Sequence, residues 1–335
     1  MAILPIQKTI LVTGGAGFIG SNFIPYFLDK NKGYSIINLD KLTYAGSISN
    51  LTEVAETFRH KLIVGDICDK DLVNSIFKEY KIDAVIHFAA ESHVDNSIKT
   101  PGSFIKTNIE GTFTLLEAAK RNWKTEYGHK RFHHISTDEV YGSLGDTGFF
   151  TEQTPYAPNS PYSASKAASD FLVRSYHHTY GLNVVTSNCS NNFGPKQHDE
   201  KLIPTIIRKA IQLDGIPIYG NGKNIRDWLY VLDHCKGIDQ IFHKGKAGET
   251  YLMGGNNEYD NLSIAKHICR ILDDVKPKKT GSYLDQICFV KDRKGHDFRY
   301  AVDATKIKTG LGWEPIEAFS PALIQTINWY LKKYS

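Results

Sequence analysis

Cysteine and long apolar segments are scarce in this sequence. Its five cysteines are an odd number, are widely spaced and include no Cys-x-x-Cys pair. Such spacing provides neither a zinc site nor a disulfide framework, and it is typical of reduced thiols in a cytoplasmic protein. No run of about 18 apolar residues is present, so we predict no membrane span. The N-terminal segment also lacks the pattern of a signal peptide. The cysteines are Cys68, Cys189, Cys235, Cys269 and Cys288.

Net charge is also small. The sequence contains 40 Lys and Arg residues and 36 Asp and Glu residues, so its formal net charge is +4 at pH 7. With no clustered basic stripe, this balance argues against a nucleic-acid partner. The 335 residues are 41% hydrophobic and 23% charged, as is usual for a soluble globular protein of one or two domains.

Short β-rich segments alternate with helical segments over residues 1–190. This rhythm predicts an α/β fold with a doubly wound parallel sheet. Residues 191–335 are richer in Gly, Pro and Asn, with short helices such as Ile203–Leu213, and predict a smaller α/β region interleaved with the first. The predicted strands are Thr9–Thr13, Ser35–Asp40, Leu62–Gly65, Ala84–Phe88, Phe132–Ser136 and Val184–Asn188. The predicted helices of the first region are Phe18–Asp29, Lys70–Tyr80, Gly102–Arg121 and Tyr162–Tyr180.

A glycine-rich turn follows the first predicted strand. Gly14, Gly17 and Gly20 allow a tight turn and close approach of a pyrophosphate, which the next helix N-terminus would bind through its N–H groups. Asp40 ends the second predicted strand, where a carboxylate can bind the adenine ribose and repel a 2′-phosphate. The pattern predicts NAD rather than NADP, with Asp66 near the adenine.

Tyr162 and Lys166 form a Tyr-x-x-x-Lys motif at the start of a predicted helix. The spacing places both side chains on one helix face. Because a neighbouring cation lowers the pKa of a phenol, we expect Tyr162 to act as a base near neutral pH. A Tyr/Lys pair without a catalytic role can have the same spacing on a helix surface. The glycine motif earlier in the chain favours a catalytic role for this pair.

Further motifs resemble those of the extended short-chain dehydrogenase/reductase family. TGGAGFIG, HFAAESHVD, TNIEGT, STDEVYG and YSASK lie in the first half, and SNNFGP, EKLIP, IRDWLYV and DRKGHDFRYAVD follow. The resemblance covers nearly the whole chain. It implies a Rossmann-type sheet with a smaller C-terminal substrate-binding region, a sugar-nucleotide substrate, and a homodimer formed through helices near Gly102–Arg121 and Tyr162–Tyr180.

Thr137, Asp138 and Glu139 follow the fifth predicted strand. Related 4-epimerases usually have small hydroxyl or alanine residues at the last two positions, whereas dehydration needs a general acid and a general base on one face of the substrate. The motif is most similar to the dTDP-glucose 4,6-dehydratase subgroup. The resemblance therefore implies a hydro-lyase with internally recycled NAD, which converts a nucleotide-linked hexose to its 4-keto-6-deoxy form.

Other functions remain open at this point. A 4,6-dehydratase or 4-epimerase for UDP- or GDP-linked sugars is the nearest alternative. A regulator that binds NAD or a sugar nucleotide without catalysis is a further one, which the complete set of catalytic residues disfavours.

The resemblance also implies a role for each catalytic residue. Tyr162, assisted by Lys166, takes the proton of the sugar's 4-hydroxyl group, and Thr137 orients that oxygen. Glu139 then removes the proton from carbon 5, which the 4-ketone has made acidic. Asp138 protonates the departing 6-hydroxyl group.

Two sets of binding residues complete the resemblance, with no metal ligand among them. Arg226 and Arg293 are expected to bind the diphosphate, since guanidinium groups suit phosphate oxygens. The cofactor set is Gly14, Gly17, Phe18, Ile19, Gly20, Asp40, Lys41, Leu42, Thr43, Asp66, Ile67, Phe88, Ala89, Ala90, Ser92, Thr107, Tyr162, Lys166 and Asn192. The substrate set is Glu91, Ser92, Thr137, Asn191, Lys201, Leu202, Pro217, Tyr219, Arg226, Asn261, Arg293, His296 and Tyr300.

Two segments depart from the subgroup's usual pattern. Asn96 stands where an arginine is usual, and Lys196-Gln197-His198-Asp199 replaces an aromatic, proline-containing turn. Both segments lie near the expected substrate cleft, so they leave the nucleotide base and the sugar open.

Overall fold

A seven-stranded parallel sheet forms the centre of the computed structural model, which describes residues 8–124 and 127–334. The strands are β1 Lys8–Thr13, β2 Tyr34–Asp40, β3 His60–Val64, β4 Ala84–His87, β5 Arg131–Thr137, β6 Val184–Cys189, β7 Asn191–Phe193, β8 Ile216–Tyr219, β9 Ile225–Tyr230, β10 Thr250–Met253, β11 Glu258–Asp260 and β12 Ile287–Val290. Across the central sheet the order is β10-β6-β5-β4-β1-β2-β3. The order reverses between β1 and β4, and in such sheets ligands bind at the carboxyl ends of the strands beside this switch point.

Helices cover both faces of the sheet. They are α1 Phe18–Lys30, α2 Lys70–Tyr80, α3 Val94–Lys99, α4 Pro101–Phe104, α5 Thr112–Trp123, α6 Pro161–Tyr180, α7 Leu202–Ile211, α8 Val231–Lys244, α9 Asn261–Val275, α10 Thr305–Leu311 and α11 Phe319–Lys333. A π-helical segment, Ile105–Gly111, joins α4 to α5. Short 3-10 segments occur at Ile48–Val54, Tyr127–His129, Asp138–Tyr141 and Tyr283–Gln286.

The two faces of the sheet bury separate hydrophobic cores. Ile10 and Val12 of β1 belong to the core that contains side chains of α1 and α8, whereas Leu11 belongs to the core that contains side chains of α2, α5 and α6. Successive strand residues point to opposite faces, so a strand covered on both sides is apolar throughout.

The C-terminal half contributes to the same sheet. β10 pairs in parallel with β6, with Thr250 opposite Thr186. The remaining strands of this half form a three-stranded sheet, β11-β9-β7, and a two-stranded sheet, β12-β8. The central sheet contains strands from both sides of residue 190. The division of the chain into two regions at that residue therefore stays a prediction.

The predicted α/β fold is confirmed, and the six predicted strands occur with ends shifted by at most two residues. Within the central sheet, β10 is the strand that the sequence pattern does not predict, and the π-helical segment lies within the predicted helix Gly102–Arg121. No helix in the described part of the chain combines the length and apolarity needed to cross a membrane.

Candidate active site

The glycine-rich turn packs against the segment that follows β4. A Cβ atom added to Gly14 would lie 2.6 Å from the Ala89 nitrogen, and one added to Gly20 would lie 2.5 Å from the Gly14 oxygen. Gly14 also has a φ of +72°, which side chains rarely adopt. Gly17 is the N-cap of α1 and provides no side-chain cap, so the first N–H groups of the helix stay available to an anion.

Asp40 is held at the edge of this turn. Its carboxylate accepts hydrogen bonds from the backbone nitrogens of Ala16 and Leu42, each at 2.8 Å. A carboxylate has about four acceptor sites, so further sites remain for ribose hydroxyls. Leu42 itself does not line the cleft, and its contribution is this backbone N–H.

The catalytic turn begins where β5 ends. Thr137 is the N-cap of the 3-10 segment, and its hydroxyl accepts a hydrogen bond from the Glu139 nitrogen at 3.3 Å. The Asn188 side chain of β6 donates to the Thr137 carbonyl at 3.0 Å. These contacts hold Asp138 and Glu139 side by side at the carboxyl end of the sheet.

The two carboxyl groups of this turn differ in exposure. Asp138 is 1% exposed, and its Oδ2 has no hydrogen-bond partner, whereas Glu139 is partly open to the cleft. Burial and the neighbouring Glu139 raise the pKa of Asp138 well above its usual value. Burial also raises the pKa of Glu139, while the positive charges of Lys201 and Arg226 act in the opposite direction. Asp138 is therefore suited to donate a proton at neutral pH.

Helix α6 carries the Tyr-x-x-x-Lys motif in its first turns. The Ser160 hydroxyl accepts a hydrogen bond from the Ser163 nitrogen, and Pro161 occupies the first helical position. This capped start fixes Tyr162 and Lys166 on the buried face of the helix, where both line the cleft.

The expected lowering of the Tyr162 pKa by Lys166 stays a prediction, and burial opposes it in the protein alone. Burial, followed by the Glu139 carboxylate, raises the pKa of Tyr162 well above its usual value. The Lys166 ammonium donates to the Ile135 carbonyl at 2.8 Å, and burial lowers its own pKa to about 8. Desolvation disfavours charge on both groups, and the sequence spacing gave no measure of this burial.

A second cavity lies on the C-terminal side of the catalytic turn. Its walls include two arginines that lie over aromatic rings: Arg226 is 4.2 Å from the ring centre of Tyr300, and Arg293 is 5.0 Å from that of Tyr219. Arg226 also donates to the carbonyl of Asp297 at 2.9 Å, which fixes its guanidinium group. The pair supplies positive charge where a diphosphate is expected.

The two cavities adjoin at Glu139, Asn191, Glu200 and Lys201, which line both. Apart from Leu42, every residue of the two predicted binding sets and the catalytic set lines one of them. Other lining residues belong to none of the predicted sets, among them Cys189, Glu200, Trp228 and Asp297. Gln197 and His198, which lie in the unusual turn expected near the substrate cleft, line the first cavity.

Several buried polar atoms along these walls have no hydrogen-bond partner among the residues that the structure describes. They require a polar ligand or water, because an unpaired buried polar atom is costly. The atoms are Asp138 Oδ2, Asn191 Oδ1, Gln197 Oε1, Glu200 Oε1 and Trp228 Nε1.

Metal binding is a separate question. Within residues 8–124 and 127–334, no group of three or more His, Cys, Asp or Glu side chains is arranged to hold a metal ion.

Known proteins resemble this chain over nearly its whole length. A family model described as GDP-mannose 4,6 dehydratase matches residues 11–326. A dTDP-glucose 4,6-dehydratase of Xanthomonas campestris pv. campestris (strain B100) is 53% identical over 330 residues, which cover 97% of this chain and 93% of that protein. The chain belongs to the dTDP-glucose 4,6-dehydratase family.

Solved structures of this family have the same fold. The dTDP-glucose 4,6-dehydratase of Bacillus anthracis in complex with NAD is 45% identical, with a TM-score of 0.86 and 97% of each chain covered. The enzyme of Streptomyces venezuelae, solved with NAD and a dTDP ligand, is 43% identical, with a TM-score of 0.89 and 97% of each chain covered. The alignment extends over both cavities, so the site lies within a framework that the family shares.

Proposed function

We propose that this protein is a hydro-lyase that converts dTDP-glucose to its 4-keto-6-deoxy product. The observation that carries the proposal is the buried Asp138 carboxyl group beside Glu139, in one cleft with Tyr162 and Lys166. Relatives that are 53% identical, and structures solved with NAD and a dTDP ligand, support this function.

The first cavity fits NAD. Gly14 and Gly20 leave room for a close backbone approach, the N-terminus of α1 faces the pyrophosphate position, and Asp40 stands at the end of β2. The carboxylate favours a free ribose hydroxyl over a 2′-phosphate. Bound NAD supplies a hydride acceptor for carbon 4 of the sugar and returns the hydride to carbon 6, so that none is consumed.

Each catalytic side chain has a separate task in this proposal. Tyr162 accepts the proton of the 4-hydroxyl group, and Thr137 orients the oxygen. Glu139 faces the cleft and removes the proton on carbon 5 once the ketone has formed. Asp138, kept protonated by burial, gives its proton to the departing 6-hydroxyl group, which leaves as water. Glu139 then returns the proton to carbon 5.

The quaternary state and location are also proposals. Ile105, Phe113 and Phe171 are 52%, 39% and 56% exposed on the surfaces of the π-helical segment, α5 and α6. These apolar side chains support a homodimer through the helices that the family resemblance indicates. The five free cysteines support a reducing, cytoplasmic environment.

Mass spectrometry of the reaction product tests the function directly. Purified protein is incubated with dTDP-glucose without added NAD, and matched samples receive UDP-glucose and GDP-mannose. We expect the dTDP product to weigh one water less than the substrate. An unchanged mass with a changed sugar configuration would establish epimerisation instead, and preferred turnover of another nucleotide would overturn the dTDP assignment.

A further inference from the structure

Asp170 extends the Tyr-x-x-x-Lys motif by one more helical turn. Tyr162, Lys166 and Asp170 are spaced by four residues on α6, so they follow one another along one face of the helix. Asp170 is 4% exposed and does not line either cavity. It therefore lies behind the site and cannot contact the substrate.

Hydrogen bonds join Asp170 to the elements that carry the catalytic turn. Its Oδ2 accepts from the Ser136 hydroxyl at 2.9 Å, the Tyr156 hydroxyl at 2.9 Å and the Asn188 amide at 3.2 Å. The same Asn188 amide holds the Thr137 carbonyl. One carboxylate oxygen thus connects α6 with β5, β6 and the start of the acidic turn.

The other carboxylate oxygen is less well satisfied. Oδ1 lies 3.1 Å from His134 Nε2, its one close polar neighbour in the described part of the chain. Burying a charge is costly, so bracing alone is a poor reason for a carboxylate at this place. A neutral amide or hydroxyl could hold the same strands.

The nearby Lys166 ammonium explains why a negatively charged side chain stands at position 170. Electrostatic interactions link its ammonium to Asp170 on the same face of α6, His134 on β5, Cys189 on β6 and His87 on β4. Burial lowers the pKa of His134 to about 4, lowers that of His87 well below its usual value, and raises that of the Cys189 thiol. Both histidines and the thiol are therefore uncharged at neutral pH, so Asp170 supplies the negative charge.

We propose that Asp170 is a positioning residue that keeps Lys166 protonated and braces the Thr137–Glu139 turn during the first oxidation. This role rests on the proposed function, because it serves Tyr162 in the same reaction. The Asp170→Asn substitution preserves the shape of the side chain and its acceptor oxygen but removes the charge.

The test compares the rate of the first hydride transfer in Asp170→Asn and in the parent protein at several pH values. The rate is followed in a single turnover with dTDP-glucose by the absorbance of reduced cofactor. Lys166 is charged below its pKa and loses charge as the pH rises through it. Loss of the carboxylate lowers this pKa below about 8, so the variant should equal the parent at low pH and fall behind as the pH rises. The deficit should reach about tenfold for each pKa unit lost.

Tyr156→Phe is the matched control, because it removes one hydrogen bond to Asp170 and keeps the charge. Its rate relative to the parent should not change with pH, and Asp170→Glu should restore a flat ratio. If Asp170→Asn is insoluble, Asp170→Ser removes the same charge. A deficit that is constant at all pH values would overturn the electrostatic role. Absence of reaction in the parent would instead contradict the proposed function.

A second inference concerns residues 195–199, which contain the unusual turn and which we call the cleft loop. On one side the loop is attached to the cofactor half. Lys196 Nζ donates to Glu53 Oε1 at 2.6 Å and to the Ser21 carbonyl of α1 at 3.1 Å, and the Asn22 side chain donates to the Pro195 carbonyl at 3.0 Å. The His198 ring meets that of Tyr44 edge-on, with centres 5.3 Å apart.

The C-terminal helix α11 and the residue after it hold the other side of the cleft loop. Tyr330 donates to the Gln197 carbonyl at 2.5 Å. The Asp199 carboxylate receives Lys333 at 2.8 Å and the Tyr334 hydroxyl at 2.6 Å. Gln197 and His198 also line the first cavity, so a loop that lines this cavity is attached both to α1 and to α11.

From these contacts we infer that the cleft loop, through Lys196, retards release of the bound dinucleotide. Lys196 has a φ of +70°, which places its backbone in the left-handed region that residues other than glycine seldom adopt. The Lys196 side chain is 10% exposed, whereas that of its ion-pair partner Glu53 is 58% exposed, so burial of the lysine stem contributes to the contact beside the ion pair.

Exchange of bound NAD for isotopically labelled NAD measures this retention without catalysis. The protein as purified is mixed with excess labelled NAD, and the labelled fraction on the protein is followed by mass spectrometry. Lys196→Met should exchange about tenfold faster than the parent. Lys32→Met is the control, since Lys32 makes an exposed ion pair with Asp29 at the end of α1. If Lys196→Met does not fold, Glu53→Gln should also exchange faster. An exchange rate equal to that of the control would overturn the inference.

Discussion

The acidic pair provides the sharpest test of the dehydration chemistry. Asp138→Asn keeps the size of a buried side chain but removes the proton that burial keeps on the carboxyl group. Glu139→Gln keeps the reach of the side chain that faces the cleft but removes the base. In the proposed mechanism, neither group acts before the 4-ketone exists. Both variants should therefore complete the first hydride transfer and stall before product forms.

The size of the defect follows from the surroundings of the pair. Asp138 Oδ2 is buried without a hydrogen-bond partner among the described residues, so this oxygen is not engaged by another protein group. Loss of a positioned acid or base costs about 10²–10⁴-fold, or about 3–5 kcal/mol of barrier, which we expect for elimination in each variant. The first hydride transfer should stay within about threefold of the parent, because its own base, Tyr162, is unchanged.

Stopped-flow absorbance and product analysis separate these steps. Reduced cofactor should accumulate on the variant proteins when dTDP-glucose is added, while release of water and the 6-deoxy product falls. Asp146→Asn, an exposed substitution shortly after the catalytic turn, should behave as the parent. Product formation by both variants at the parental rate would refute the assignment of the pair to elimination.

Three further outcomes are expected. Tyr162→Phe should lower the rate of the first hydride transfer by about 10²–10⁴-fold with little change in substrate binding, and a loss below tenfold in single-turnover kinetics would contradict its role as base. Denaturation of the purified protein should release NAD(H), because Asp40 repels a 2′-phosphate; recovery of NADP(H) by chromatography would show that this carboxylate does not select the cofactor. Light scattering at micromolar concentration should give twice the mass of the 37.7 kDa chain. A mass equal to that of one chain would contradict the proposed homodimer.

Local sequence patterns predicted the framework of the site because local chemistry determines it. The glycine turn needs close backbone approaches, such as that of Gly14 to Ala89, and few other residues satisfy them. β4 is buried at all four positions and therefore appears as an apolar run. β10 was missed because it has only four residues within a Gly- and Asn-rich region and is recognised by its pairing with β6.

Properties that depend on burial were not predictable from spacing. The Tyr162–Lys166 interval places the two groups on one face, but the dielectric surroundings decide the pKa of each. Asp170 was missed for a similar reason. Its partners Ser136 and Asn188 lie on two strands that are distant in sequence, and only the folded sheet brings them to the carboxylate.

The pairing of β10 with β6 also affects the order of events during synthesis on a ribosome. β6 ends at Cys189 and β10 begins at Thr250, so at about 5–20 residues per second the edge of β6 stays without its partner for about 3–12 s. During that interval its free N–H and C=O groups can pair with a strand of another nascent chain. Rapid translation of residues 190–253 therefore shortens the period in which the growing protein is prone to aggregate.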